Sequence, residues 1–319
     1  MAKNIKVTRS KKSKSPKPIR RRRFLDACRL CFVLLMIASI AIIFVMGLNY
    51  LEGGWRVLFW VLLVLWLITI VEVVYCRFFN PFLTPLMVQR WFQQRKDSSR
   101  AVIFERKYVP ISQISPYLIN AADVAENMGY FQYSRGFLFK ALSWAYELNQ
   151  TTDSLRGGSI ISQQTAKNCF LLHNRNMLRK LVEAYYVLLM EFLWGKKRIM
   201  ECYLNIIEYG DGIYGCEAAS QHYFGHSAAT LTEREAVMLA AALPAPLSAN
   251  PEKPSPKYEK RVEKVLSRLQ NHEAINFNAR YEDLDIAKLK EGNRGLLFFI
   301  WWLIIQKFKG LRKENTNDK

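Results

Sequence analysis

The chain has 319 residues, half of them apolar, with 46 Lys and Arg against 27 Asp and Glu, for a formal net charge of +19. That length accommodates a membrane anchor plus one sizeable domain. The six cysteines and four histidines fall in no spacing that suggests a zinc site or a disulfide framework; His222 and His226 are four apart, but Gly225 lies between them and no third ligand is near.

The basic excess starts at the N-terminus. Residues 1–23 carry eleven Lys and Arg and no acid, ending in "PIRRRR"; such a block is disordered by composition and seeks anionic surfaces. The neighbouring segment decides which surface. Leu30 to Leu51 holds no charge, and Val57 to Cys76 holds one acid, Glu72. Either run is long enough to cross roughly 30 Å of hydrocarbon as a helix. The tail is therefore read as a cytoplasmic, lipid-facing anchor rather than a nucleic-acid arm. The expected organisation is a basic tail over 1–23, two apolar membrane segments over 24–76, a juxtamembrane linker over 77–107, a catalytic domain over 108–270 and a C-terminal segment over 271–319.

Beyond the linker the pattern is helical. Ser115-Pro116 marks a helix start, "FLFKALSWAYEL" predicts a further helix, and the polar loop "NQTTDSLRGG" leads into "GGSIISQQTAKN" (Gly157 to Asn168). Leu178, Leu181, Val182, Tyr185, Leu188, Leu189 and Phe192 recur three and four apart in the next helix, which Gly195 breaks before "KKRIMECYLNIIEY". Thr232 and Glu235 form a capping box for a helix that Pro244 closes. A Pro-rich linker then precedes "KYEKRVEKVLSRL". No run alternates convincingly as a strand, so the soluble part is expected to be mainly α. The run "GLLFFIWWLII" is about half a spanning length and reads as an interfacial anchor, with burial against the domain as the alternative.

Arg175, Arg179 and Glu183 are spaced four and four and form one stripe along their helix. Lys167, Gln163 and Gln164 arrive from the polar loop just upstream, making a cationic, amide-rich patch at a helix N-terminus, a setting suited to phosphate. Glu126, at the end of another helix pattern, is a candidate base. The residues alone support a membrane-bound enzyme acting on an anionic, phosphate-bearing substrate, without identifying the reaction.

Five blocks in order resemble the glycosyltransferase family 51 domain in its monofunctional, biosynthetic peptidoglycan transglycosylase form, from about Val109 to Leu269. They are "ENMGYFQYSRG", "GGSIISQQTAKN", "RKLVE", "KKRIMECYLNIIEYGDGIYG" and "RVEKVL", with a further counterpart in "CEAASQHYFG". In the first block Asn127 replaces an aspartate, Tyr130 a phenylalanine and Tyr133 a histidine, and Gly136 comes one residue late; in the second, Ile160 stands for a threonine.

The resemblance implies a mainly α, membrane-anchored, lysozyme-like transglycosylase domain that polymerises lipid II into β-1,4-linked glycan with inversion. It implies Glu126 as general base and Lys167, Arg175 and Arg179 as stabilisers of the departing pyrophosphate. Glu183 would orient those cations or help hold a divalent cation (Mg or Mn). Substrate contacts are expected from Ser159, Gln163, Gln164, Lys167, Asn168, Arg175, Arg179, Lys180, Glu201 and Asn205. Expected partners are lipid II, the nascent glycan strand, membrane phospholipid and separate transpeptidases, and not nucleic acid. The expected place is the cytoplasmic (inner) membrane, with the catalytic domain extracytoplasmic (periplasmic). Two full spans would return the domain to the cytoplasm, so one run alone is expected to span, the second being the better anchor. The alternatives from the residues are a lytic hydrolase, which the cations oppose, and a catalytically weak lipid II-binding scaffold.

Overall fold

A computed structural model describes residues 53–97, 101–134, 158–173 and 177–278, with isolated helical residues between 38 and 47. The chain divides into two units, Met1–Ile68 and Thr69–Lys319. Arg175, the "FLFKALSWAYEL" pattern, the "NQTTDS" loop, the basic tail, most of the first apolar run and the C-terminal "GLLFFIWWLII" lie outside the described residues.

Helix α1 (Gly53–Phe78) contains the second apolar run. Among the described residues it is the one helix long and apolar enough to cross a membrane, with mean hydropathy 2.8 over its most apolar window. Its last turns, from Thr69 onward, belong to the larger unit. There the lone acid of the run, Glu72, accepts a hydrogen bond from Tyr186 at 3.2 Å, and the Val73 carbonyl accepts from the Trp194 indole at 2.9 Å. A carboxylate in an apolar run is costly unless paired, and the tyrosine supplies the partner.

The segment expected as a linker holds two elements of the domain. Helix α2 (Pro85–Lys96) is capped by Thr84 and has proline in its first turn. Strand β1 (Glu105–Arg106) pairs in parallel with β3 (Ile213–Tyr214), which pairs antiparallel with β2 (Glu208–Gly210). Strands of two and three residues leave no period-2 signature in a sequence. Gly212, at φ +79°, sits in the β2–β3 turn, where a Cβ would come within 2.1 Å of the Ile103 carbonyl oxygen; only glycine fits.

The remainder is helical: α3 (Pro116–Glu126), α4 (Ile161–Phe170), α5 (Met177–Leu193), α6 (Lys196–Ile206), α7 (Cys216–Phe224), α8 (Glu233–Ala242) and α9 (Pro256–Leu269). The expected start at Pro116, break at Gly195 and capping box at Thr232–Glu235 are all present. One core joins α4, α5 and α6, where Phe170 stacks on Tyr186 at 4.6 Å. A second packs Ala121 and Val124 of α3 against Val237, Ala240 and Ala241 of α8 and Tyr258, Val262 and Val265 of α9. Alanines on α8 admit α3 closely, and α9 then lies alongside the end of α3 that carries Glu126.

On α5 the outcome differs from the periodicity. Leu189 is buried, but Leu178, Leu181, Val182 and Leu188 are exposed. The inward face is formed instead by Glu183, Tyr186, Val187 and Met190. Periodicity locates an apolar stripe; it does not say what covers it. The chain after α9 is also tied to the domain: Ile275 N–H donates to Asn120 Oδ1 at 2.9 Å and Tyr133 OH to Glu273 at 2.8 Å.

Candidate active site

Glu126 ends α3, and the chain turns at once. Asn127 caps the helix, Met128 and Gly129 take positive φ (+55° and +81°), and the turn leads back to a buried Phe131. A side chain at Gly129 would meet the His272 ring at 3.1 Å. Asn127 is fully buried, and its Oδ1 accepts from the Ile161 N–H at 2.8 Å. That N–H opens α4 and has no partner within the helix. The neutral amide at this divergent position therefore ties the end of α3 to the start of α4, as an aspartate's oxygen could. Tyr133, at the other divergent position, is buried and points its hydroxyl at Glu273 rather than into the site.

The α3–α4 tie brings Glu126 against α4. Gln164 Nε2 donates to Glu126 Oε2 at 2.6 Å, and Arg261 of α9 donates to Oε1 at 2.8 Å. The Gln164 carbonyl accepts from Tyr203 of α6 at 3.1 Å, which sets the amide's orientation. Gln164 and Lys167 are the two residues of α4 that are not buried, and their spacing of three places them on one face.

From Gln164 the contacts continue into the cations. Gln164 Nε2 also reaches the Ser159 carbonyl at 3.3 Å, and Lys180 donates to Ser159 Oγ at 3.0 Å. Lys180 also pairs with Glu183, whose second oxygen takes Arg179 at 2.7 Å. Glu183 is buried, so its charge is compensated by the two cations. Lys167 makes no hydrogen bond among the described residues. Burial lowers its pKa; Glu183 opposes that, Arg179 and Lys180 add to it, and Glu126 opposes it weakly. The same field reaches His173, three residues past α4, whose pKa is pushed down to about 3 by burial and by Lys167, Arg90 and Arg179.

Of the expected residues, the structure gathers Glu126, Ser159, Gln164, Lys167, Arg179, Lys180 and Glu183 into one continuous set. It turns three others inward. Gln163 is buried and accepts from the Ile160 N–H at 3.4 Å, forming half of a capping box; isoleucine, lacking a hydroxyl, cannot complete it. Asn205 is buried and clamps Val109 through both its N–H and its C=O at 2.9 Å. Asn168 is buried, with neither amide atom hydrogen-bonded among the described residues. Glu201 is occupied by the Ile111 N–H at 2.9 Å, the Tyr108 hydroxyl at 3.2 Å and Arg198 at 2.6 Å.

Sequence reasoning assigned no role to Arg261, Tyr203 or Asn127. Arg261 opens the recognised "RVEKVL" block, and membership of that block was the signal that could have found it.

Both Glu183 oxygens are taken by cations, and no group of three or more His, Cys, Asp or Glu side chains converges among the described residues.

Residues 97–270 match the Transglycosylase family. The chain is 47% identical over 196 residues to the biosynthetic peptidoglycan transglycosylase of Caulobacter vibrioides, covering 61% of this chain and 82% of that one. It is 44% identical to the protein of the same name from Aeromonas hydrophila over 193 residues, 60% and 80% of the two chains. The Shewanella oneidensis protein of that name is 44% identical over 216 residues, 66% and 90%. With a mainly helical domain that carries all five blocks and a family match spanning more than half its length, this chain belongs to the transglycosylase family.

Proposed function

We propose that the protein is a peptidoglycan glycosyltransferase that polymerises lipid II into β-1,4-linked glycan strands with inversion, releasing a lipid pyrophosphate. The observation that carries this reading is the unbroken run of contacts from Glu126 through Gln164 and Ser159 to Lys180, Glu183 and Arg179. A base and an anion site set side by side are what transfer from a pyrophosphate-linked donor requires.

In the proposed reaction, the acceptor sugar's 4-hydroxyl attacks the donor's anomeric carbon as the bond to pyrophosphate breaks. Glu126 takes the hydroxyl proton. Its two oxygens accept from Gln164 and Arg261 respectively, and a carboxylate offers about four lone-pair sites, so capacity remains for the incoming hydroxyl. Gln164 and Arg261 fix the carboxylate's direction, which counts because a weak nucleophile depends on alignment. Negative charge grows on the leaving pyrophosphate, and Lys167, Arg179 and Lys180, joined by Arg175, neutralise it. Glu183 keeps the two helical cations aimed.

Ser159 and Gln164 are half-buried between Glu126 and the cations, where sugar or phosphate oxygens would meet them. Gln163, Asn205 and Glu201 contribute by fixing α4 and α6, and Asn168 lies within the same helix. Helix α1 anchors the domain at the cytoplasmic membrane with the site on the outer, periplasmic face, where the lipid-linked substrate and the growing strand are held. The outward apolar residues of α5 rest in phospholipid. Separate transpeptidases crosslink the strands.

The test is incubation of the full-length protein in detergent with labelled lipid II, followed by digestion of the product with a β-1,4-specific muramidase. Polymer that the muramidase reduces to disaccharide units supports the reading. Release of short soluble sugars from preformed glycan, without polymer, would establish the hydrolytic alternative.

A further inference from the structure

Three buried thiols meet where α4 and α6 pack: Cys169 on α4, Cys202 on α6 and Cys76 near the end of α1. Their spacing along the chain offers no reason to pair any of them. In the folded chain the sulfurs of Cys169 and Cys202 lie 3.5 Å apart. A disulfide needs about 2.05 Å, so the gap is about 1.5 Å across two of the most tightly apposed helices of the domain.

We propose that Cys169 and Cys202 are joined by a disulfide bond in the folded domain. The proposal rests in part on the proposed extracytoplasmic placement, since such bonds persist in oxidising compartments and are rare in the cytoplasm. Both residues are almost wholly buried, and burial drives the Cys169 thiol pKa well above its ordinary value. Once the core has closed, burial shields both sulfurs from an external disulfide. The bond therefore forms during folding. One thiolate attacks an external disulfide RS–SR, releasing RSH and leaving a mixed disulfide. The second thiolate attacks the protein sulfur of that intermediate and expels the second RSH. Two protein thiols are oxidised, one disulfide donor is reduced, and both protons leave with the donor's thiols.

The bond has a consequence for the site. Helix α4 carries Gln164 and Lys167, and α6 carries Tyr203, whose hydroxyl orients the Gln164 amide. Cross-linking α4 to α6 one turn or so from these residues holds the amide that touches Glu126. The closed loop contains all of α5 with Arg179, Lys180 and Glu183, while Lys167 lies two residues outside it on α4.

The test begins with full-length protein made in cells, denatured in N-ethylmaleimide and mapped by mass spectrometry. The expected result is one linked species joining the Cys169 and Cys202 peptides, separable by reductant, with Cys76 and Cys216 labelled. In a second sample the protein is synthesised cell-free into lipid nanodiscs in a mixed oxidised and reduced glutathione buffer, which removes the compartment as a variable. A bridge in both samples supports the proposal. A bridge in the nanodiscs with free thiols in cells upholds the pairing and overturns the extracytoplasmic placement. Label on both Cys169 and Cys202 in both samples, or a link from either to Cys76, overturns the proposal. Reduction of the bridged protein is expected to lower Tm by about 5–10 °C, and a C169A/C202A variant should melt at one temperature with or without reductant.

Discussion

Asn205→Ala separates an internal role from a substrate-binding one. The side chain is fully buried. Its Oδ1 accepts from the Val109 N–H and its Nδ2 donates to the Val109 carbonyl, both at 2.9 Å, with a further bond to the Glu201 carbonyl at 2.8 Å. Alanine leaves the buried Val109 donor and acceptor unpaired, at about 1–3 kcal/mol each. The Glu201 carbonyl keeps its helical partner and adds little. The sum is about 2–6 kcal/mol, which for a domain of this size lowers Tm by about 5–20 °C. Thermal unfolding of the full chain in detergent reads that loss. Measured well below the transition, KM for lipid II should change less than twofold. An unchanged Tm with a KM raised tenfold or more would refute the reasoning and return Asn205 to the substrate.

Arg261→Ala removes a partner of Glu126 from a pair that is partly exposed on the arginine side. Such pairs contribute about 0–1 kcal/mol to stability, so Tm should move little, whereas kcat should fall about 10–100-fold through misplacement of the carboxylate. Partial recovery in Arg261→Lys would identify it as a positioning residue, and equal kcat in wild type and Arg261→Ala would remove it from the account. Asp123 is buried, accepts from the Phe131 N–H at 3.0 Å, and has its pKa pushed up to about 7, chiefly by burial. A folded-state pKa above the unfolded value of about 3.9 gives stability that is complete below pH 4 and lost as pH rises through about 7. Asp123→Asn keeps the acceptor without the charge, so its Tm should gain on the wild type between pH 5 and 8. The opposite trend would show that the 3.6 Å contact with His272 holds the ionised form. Charges placed on the outward face of α5, as in L178D/L181D, should weaken binding to anionic phospholipid vesicles about tenfold. Unchanged binding would place that face elsewhere.

Much of the fold was legible because its signals are local. Pro116 after Ser115, the Thr232–Glu235 box and Gly195 each act within one turn of chain, and each sits where the structure starts or stops a helix. The polar face of α4 was not legible: "GGSIISQQTAKN" reads as a polar loop, and from Ile161 on it is helical, with Gln164 and Lys167 set apart from buried neighbours. What sequence reasoning could not reach depends on tertiary proximity. Asn205, Gln163 and Glu201 are polar residues in recognisable blocks, and only the packing shows that they bind Val109, Ile160 and Ile111. The three short strands have too few residues to alternate. The outward leucines of α5 look like core residues because an apolar stripe reads alike whether protein or lipid covers it. Cys169 and Cys202, 33 positions apart, meet only because α4 and α6 pack together.

Glu126 as the base is the central claim, and Glu126→Gln tests it most directly. The variant keeps the size of the side chain and an oxygen to accept from Arg261 or Gln164, but cannot take a proton from a hydroxyl. Loss of a general base costs about 10²–10⁴-fold in rate. With labelled lipid II, the account predicts polymer from the wild type, a fall in kcat of at least a hundredfold in the variant, and lipid II binding within a few-fold of wild type. Polymerisation by Glu126→Gln at the wild-type rate would contradict it.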